Sequence, residues 1–296
     1  MIKGMKHLNK SLCVLITIML LSSCASKVVQ PPPKPAKIAL VLGAGVSKGF
    51  AHIGVLKILE SNKVPIHLIV GTSAGSFVGS LYAYGYNAYQ LQQMAFSIGK
   101  GDIIDLTIPD NGFIKGEKLE EYINKLVMNT PMEKMRIPFY AVAADIQNGH
   151  EVVFGRGNTG TAVRASCSIP GIFRPVKIAE RMYVDGGVVS PVAVDAAKKL
   201  GADVVIAIDI SSSIDSNQPE NTIETILQTI NIMYSKLVST QLSKADVVIM
   251  PKVGYISTSD FSKRHEAILE GEKAASEVLP EILNIIARLK WEGRLE

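Results

Sequence analysis

The sequence predicts an α/β fold with a mainly parallel central sheet flanked by helices. Short, continuous apolar runs alternate along the chain with longer segments whose apolar residues recur at helical spacing. That alternation is expected of strands buried on both faces by crossover helices. Glycine-bearing turns directly follow the first two apolar runs, and sites in such sheets form at these carboxyl ends of strands. The 296 residues, 47% hydrophobic and 20% charged, suffice for one large domain whose core needs no disulfide.

Taken in order, the chain opens with Lys3, Lys6 and Lys10, followed by Leu12 to Leu21, in which only Thr17 is polar. A membrane span needs ~20 apolar residues, so this shorter run after a basic segment predicts a secretory signal. Leu21-Ser22-Ser23-Cys24 resembles the lipobox of bacterial lipoproteins, which implies cleavage before Cys24, lipidation of its thiol and acylation of its amine. A plain signal peptide cleaved nearby, or a buried helix, is the alternative. Ala25, rather than Asp, follows the cysteine, and by that family's sorting rule this implies an outer-membrane protein facing the periplasm. The formal charge of +4 then becomes 28 − 27 = +1 for the processed chain, because the three lysines leave without any acidic residue. Loss of Cys13 and lipidation of Cys24 would leave Cys167 without a disulfide partner. Val28 to Lys37 is proline-rich and predicts an extended spacer of ~3.1 Å per residue. The expected organisation is a signal over 1–23, a lipidated cysteine and linker over 24–37, and one domain over 38–296. Within that domain a motif-bearing core runs to about 210 and a helical part covers about 220–290.

Strands are predicted at Ile38–Leu42, Ile66–Val70, Phe139–Ala144, Glu151–Phe154 and Val204–Ile208, with a short β run ending at Asp185. Helices are predicted at Ala51–Leu59, Ala74–Tyr84, Asn87–Ile98, Gly116–Met128, Val192–Leu200, Thr222–Leu242 and Glu266–Leu289, the last interrupted by Pro280. Ser211 to Glu220 with the following helix reads as a loop and a packed helix, or as a cover over the site. One Trp and dispersed charge offer no basic stripe for nucleic acid.

Three strand-end motifs carry chemistry. Gly71-Thr72-Ser73-Ala74-Gly75 is a G-x-S-x-G between a strand and a helix, the context of a nucleophile elbow, with Gly71 and Gly75 allowing the tight turn. Leu42 to Gly49 contains Gly43, Gly45 and Gly49 and can aim successive N–H groups at an anion. As a dinucleotide loop it lacks an acidic residue at the end of the second strand and is one residue too long; as a P-loop it lacks Gly-Lys-Ser/Thr. Its best reading is an oxyanion loop. Asp185-Gly186-Gly187 places a carboxylate at a strand end with two glycines permitting close backbone approach. In a dry pocket such a carboxylate gains basicity and can accept a serine proton directly.

These pieces in this order, with Gly49 to Lys57 and Ala165 to Val176, resemble the patatin-like phospholipases over about residues 37–210, and in particular the bacterial members related to neuropathy target esterase. The resemblance implies a three-layer hydrolase fold and a Ser–Asp dyad with Ser73 as nucleophile and Asp185 as base. It also implies hydrolysis of acyl esters in membrane phospholipids or lysophospholipids, with no metal or cofactor. Oxyanion donors are expected from Gly45, Val46, Lys48 and Ala74. The chain departs from the family pattern at Ala44, Val46 and Lys48, where many members carry glycines and an arginine. A β-branched Val46 tolerates positive φ poorly, so a lipid-binding scaffold that has lost turnover is the non-enzymatic alternative. A Ser-His-Asp esterase would need a late histidine, and only His265 fits that order. His52 reads as a packing or capping residue, His67 as a core strand residue and His150 as part of a hairpin turn. Cys167 reads as structural, Asp145 as a strand-ending turn residue, and Asp209 as a helix cap or a support for the site.

Overall fold

The computed structural model describes residues 33–108, 111–211 and 218–296. The expected signal segment, Cys24, most of the linker and residues 212–217 lie outside the described residues. Among those described, no helix is long and apolar enough to cross a membrane.

Among the described residues eight strands form one sheet: β1 (Ile38–Leu42), β2 (Leu68–Thr72), β3 (Phe139–Asp145), β4 (Glu151–Phe154), β5 (Val176–Ile178), β6 (Arg181–Asp185), β7 (Val204–Ile208) and β8 (Val247–Ile249). Their hydrogen-bonded pairs run β5-β6-β3-β2-β1-β7-β8, and β4 also pairs with β3. From β3 to β8 every neighbouring pair is parallel, whereas β4, β5 and β6 are antiparallel additions. Nine α-helices are described: α1 (Phe50–Ser61), α2 (Ala74–Tyr84), α3 (Ala88–Ser97), α4 (Lys100–Ile103), α5 (Glu117–Leu126), α6 (Thr159–Ser166), α7 (Val194–Lys199), α8 (Thr222–Leu242) and α9 (Arg264–Trp291).

Alternation along the central strands divides the core into two layers. Leu40, Leu42, Ile69 and Ile206 face one side with α1, α2 and α9. Ala39, Val41, Val70, Val205 and Ala207 face the other, where α7 lies. The larger side chains thus point toward the thicker helical layer. Within that layer α1 and α9 approach through glycines: a Cβ at Gly54 would lie 1.9 Å from the Ile268 carbonyl oxygen, and one at Gly271 would lie 2.0 Å from that of Ala51.

The structure corrects several sequence expectations. The second strand is shifted by two residues to Leu68–Thr72, because its pairing with β1 and β3 continues through Gly71 and Thr72. His67 therefore precedes the strand, and its Nδ1 accepts the N–H of Ile38 at 3.0 Å. The final helix continues through Pro280 from Arg264 to Trp291. Buried residues on both sides, from Ala267 to Ala275 and from Ile282 to Leu289, hold it to the core. That packing offsets the loss of one N–H.

Candidate active site

Register brings the motifs together. Residues 141–144 of β3 carry β4 on one edge. The opposite edge is divided between β2, which runs parallel to β3 up to Thr72 opposite Val142, and β6, which runs antiparallel up to Asp185 opposite Ala143. The carboxyl ends of β2 and β6 therefore meet head to head on one edge of β3. Ser73 leaves one end and Asp185 occupies the other.

Their side chains touch across that junction. Ser73 Oγ donates to Asp185 Oδ2 at 2.5 Å, and both residues are buried. Ser73 has φ 52° and ψ −122°, a conformation that is strained for any residue but glycine. Several contacts hold it there. Its N–H donates to Ser166 Oγ at 2.9 Å, and that hydroxyl donates to the Val142 carbonyl at 2.6 Å. Ser76 Oγ returns to the Ser73 carbonyl at 2.7 Å, and Thr72 Oγ1 donates to the Ser190 carbonyl at 3.0 Å. The glycines of the elbow answer to space. A Cβ at Gly75 would lie 2.0 Å from the Leu42 carbonyl oxygen, and one at Gly71 would lie 2.5 Å from Ser76 Cα.

Asp185 Oδ1 accepts the Gly187 N–H at 2.7 Å and the Tyr234 hydroxyl at 3.3 Å. Burial pushes its pKa up from 3.8 to about 6, against the opposing effect of hydrogen bonds from Ser73, Gly187 and Tyr234. The carboxylate is thus ionised at neutral pH yet more basic than a solvated one, as a direct proton acceptor requires.

The Gly-rich loop runs from Gly43 into a 3₁₀ turn over Val46–Gly49. It lies against the elbow, since a Cβ at Gly49 would be 2.7 Å from the Ala74 Cβ. Val46 does take positive φ, at 50°. The Lys48 N–H, expected among the oxyanion donors, instead donates to the Gly45 carbonyl at 3.1 Å. Its side chain is also buried, and its charge counters the upward push of burial on Asp209, whose Oδ1 accepts both the N–H and the hydroxyl of Ser211. Burial is the larger effect and raises the Asp209 pKa, with the Ser211 hydrogen bonds and then the Lys48 charge opposing it. Val46 and Ala74 stand at the starts of their helical turns, where N–H groups lack intrahelical acceptors, and both line the cavity that contains Ser73.

That cavity, about 150 Å³, extends from Ser73 among apolar side chains of α1, α2, α3 and α5, including Ile53, Phe77, Leu91, Met94 and Leu119. Cys167 also lines it, with its thiol pK raised by burial and its Sγ 3.7 Å from Ser76 Oγ. Among the described residues, no cluster of His, Cys, Asp or Glu could hold a metal ion.

The other candidates sit elsewhere. His265 is exposed at the first turn of α9 and stacks on Phe96, with ring centroids 6.2 Å apart. The place an imidazole would take beside Ser73 Oγ is filled by Asp185. His52 is buried with its pKa lowered to about 4, and its Nε2 meets the Gly43 carbonyl at 2.8 Å, which pins the loop. Asp145 closes the β3–β4 hairpin and pairs with Arg181. His150 follows that turn. Sequence reasoning missed Tyr234 and Ser166. The tyrosine falls in a helical stripe with Leu227, Ile230 and Val238, where an aromatic residue reads as core, and nothing local marks its hydroxyl.

A family model described as "Patatin-like phospholipase" matches residues 40–198. The lysophospholipase NTE1 of Debaryomyces hansenii is 35% identical over 190 residues, which is 62% of this chain and 12% of the yeast protein. Patatin-like phospholipase domain-containing protein 6 of Homo sapiens is 36% identical over 183 residues, covering 59% of this chain and 13% of the human one. The chain thus matches only about an eighth of the length of these relatives.

Proposed function

This chain belongs to the patatin-like phospholipase family, and from that premise we propose that it is a serine acyl hydrolase cleaving fatty-acyl esters of phospholipids or lysophospholipids. The observation that carries the reading is the direct Ser73–Asp185 hydrogen bond, buried beside an apolar cavity. Asp185 Oδ2 takes the Ser73 proton as Oγ attacks the ester carbonyl. The resulting oxyanion is met by N–H groups at Val46 and Ala74, the latter at the positive end of α2. Collapse expels the lysolipid or glycerophospho alcohol, which recovers the proton from Asp185. Water, deprotonated by the same carboxylate, then releases the fatty acid from the acyl-enzyme. The apolar cavity suits an acyl chain, and none of the described residues that line it is charged. The family relatives named lysophospholipase support this substrate class.

The test is labelling by a fluorophosphonate, with Ser73→Ala as control, alongside hydrolysis of defined phospholipids and lysophospholipids. Labelling and fatty-acid release that both vanish in Ser73→Ala are expected. A folded chain that neither labels nor hydrolyses is the scaffold of the alternative reading.

The N-terminal pattern supports a second part of the proposal: a lipid anchor at Cys24 on the periplasmic face of the outer membrane. Anchoring would raise the local concentration of bilayer substrate without any head-group affinity. Radiolabelled palmitate should enter the protein and be lost in Cys24→Ser; label that persists in the variant refutes the anchor.

A further inference from the structure

We propose that Tyr234 is a positioning residue of the dyad, its hydroxyl holding the Asp185 carboxylate in its ionised form with Oδ2 turned toward Ser73. The inference rests on the Ser–Asp hydrolase reading and adds a residue from outside the family match, which ends at residue 198.

The first support is the division of labour on the carboxylate. Oδ2 is taken by Ser73, while Oδ1 receives Gly187 N–H and Tyr234 Oη. Two donors on one oxygen fix the rotation of the carboxyl group, so the other oxygen keeps its lone pair on the serine hydroxyl. Gly187 and Ser73 alone would hold the plane by one backbone contact and by the bond that the reaction breaks.

The second support is steric. A Cβ at Gly187 would lie 2.1 Å from Tyr234 Oη and 2.2 Å from its Cζ. The second glycine of Asp185-Gly186-Gly187 is therefore the seat of the phenol. Gly186 has a different neighbour, the Val142 carbonyl oxygen, 2.3 Å from its would-be Cβ. The two glycines thus admit two different partners, and only the second faces the tyrosine.

The third support is the setting of the ring. Tyr234 is buried in the stripe of α8 formed by Leu227, Ile230, Asn231 and Val238. A phenol hydroxyl in such surroundings is costly unless it is hydrogen-bonded, and Asp185 supplies the acceptor. The chemistry explains the need. Burial drives Asp185 toward its neutral form, which cannot accept a proton. Donors to the anion restore it. Two titratable groups are coupled to Asp185: Tyr234 from α8 donates to it, and Cys167 at the end of α6 feels its charge; burial raises the pKa of both, which keeps them uncharged.

The experiment is the pH profile of kcat/KM for a soluble short-chain p-nitrophenyl ester, measured on the full chain and on Tyr234→Phe. Phenylalanine keeps the ring and removes only the donor. The acidic limb should move upward by about half to one pH unit, a roughly three- to tenfold loss on the acidic side, and the alkaline plateau should fall by a further few-fold as the carboxylate's rotation loosens. Gly187→Ala, which forces the ring off the carboxylate, should move the limb the same way. Site-specific 3-fluorotyrosine at 234, a stronger donor, should move it downward. An active parent whose limb is unmoved, or moves down, in Tyr234→Phe overturns the role of Tyr234 alone. A folded parent with neither hydrolysis nor fluorophosphonate labelling overturns the hydrolase reading and this proposal together.

Discussion

Asp185→Asn removes the proposed base and also relieves the folded chain of a buried charge, so activity and stability should move in opposite directions. The carboxyl is fully buried, and its pKa rises from 3.8 to about 6. Below the lower value it is protonated in both folded and unfolded chains and adds no pH dependence. Between the two values the unfolded carboxyl ionises while the folded one stays neutral, so stability falls as pH rises. Above about 6 the whole loss is present. Two pH units correspond to about 3 kcal/mol. Asparagine keeps the shape and carries no such dependence. Equilibrium urea unfolding, followed by circular dichroism at about pH 3 and about pH 8, separates the constant cost of the substitution from this term. Relative to its offset at the acidic pH, the variant should gain about 3 kcal/mol at the alkaline one. That gain corresponds to roughly 6–12 °C in Tm for a domain of this size. Ester hydrolysis should fall by about 10²–10⁴-fold. A difference between the two chains that is the same at both pH values would refute the reasoning.

Other perturbations test neighbouring parts of the structure. Ser73→Gly should remove fluorophosphonate labelling and be about 1 kcal/mol more stable than Ser73→Ala, which loses the same bond to Asp185 but keeps a Cβ, since glycine adopts φ 52° without strain; a Tm below that of Ser73→Ala contradicts the strain. Gly271→Ala should cost about 3 kcal/mol by driving α9 off α1, whereas Gly101→Ala, with open space around its Cβ, is a control expected to be near neutral in the same unfolding assay. Ala95→Trp, on the cavity wall, should lower kcat/KM for long-chain esters about tenfold while sparing acetyl esters. Equal losses on both would move the acyl chain out of that cavity.

Much of the sheet was legible because it is buried on both faces. Ile38–Leu42 and Val204–Ile208 are continuous apolar runs, and they appear as β1 and β7 with the expected bounds. Glu151–Phe154, Ala74–Tyr84 and Thr222–Leu242 also match. The β5 strand and β8 were missed because they are three residues long, too short to show a period. Pro280 was read by a local rule that the packing of α9 overrides. Ser73 and Asp185 stood out by their motifs, yet 112 residues separate them, and no local pattern places one against the other.

The sequence by itself determined what is local: the alternation of elements, the glycines that make the elbow and loop possible, and the residue types able to attack and to accept a proton. Tertiary structure decided the rest. It set β2 and β6 end to end on one edge of β3, so that the serine meets its carboxylate. It turned the Lys48 amide inward and gave its side chain the company of Asp209. It also laid Tyr234 over Gly187. Each of these depends on register, burial and close approach between distant segments, which no single stretch of sequence encodes.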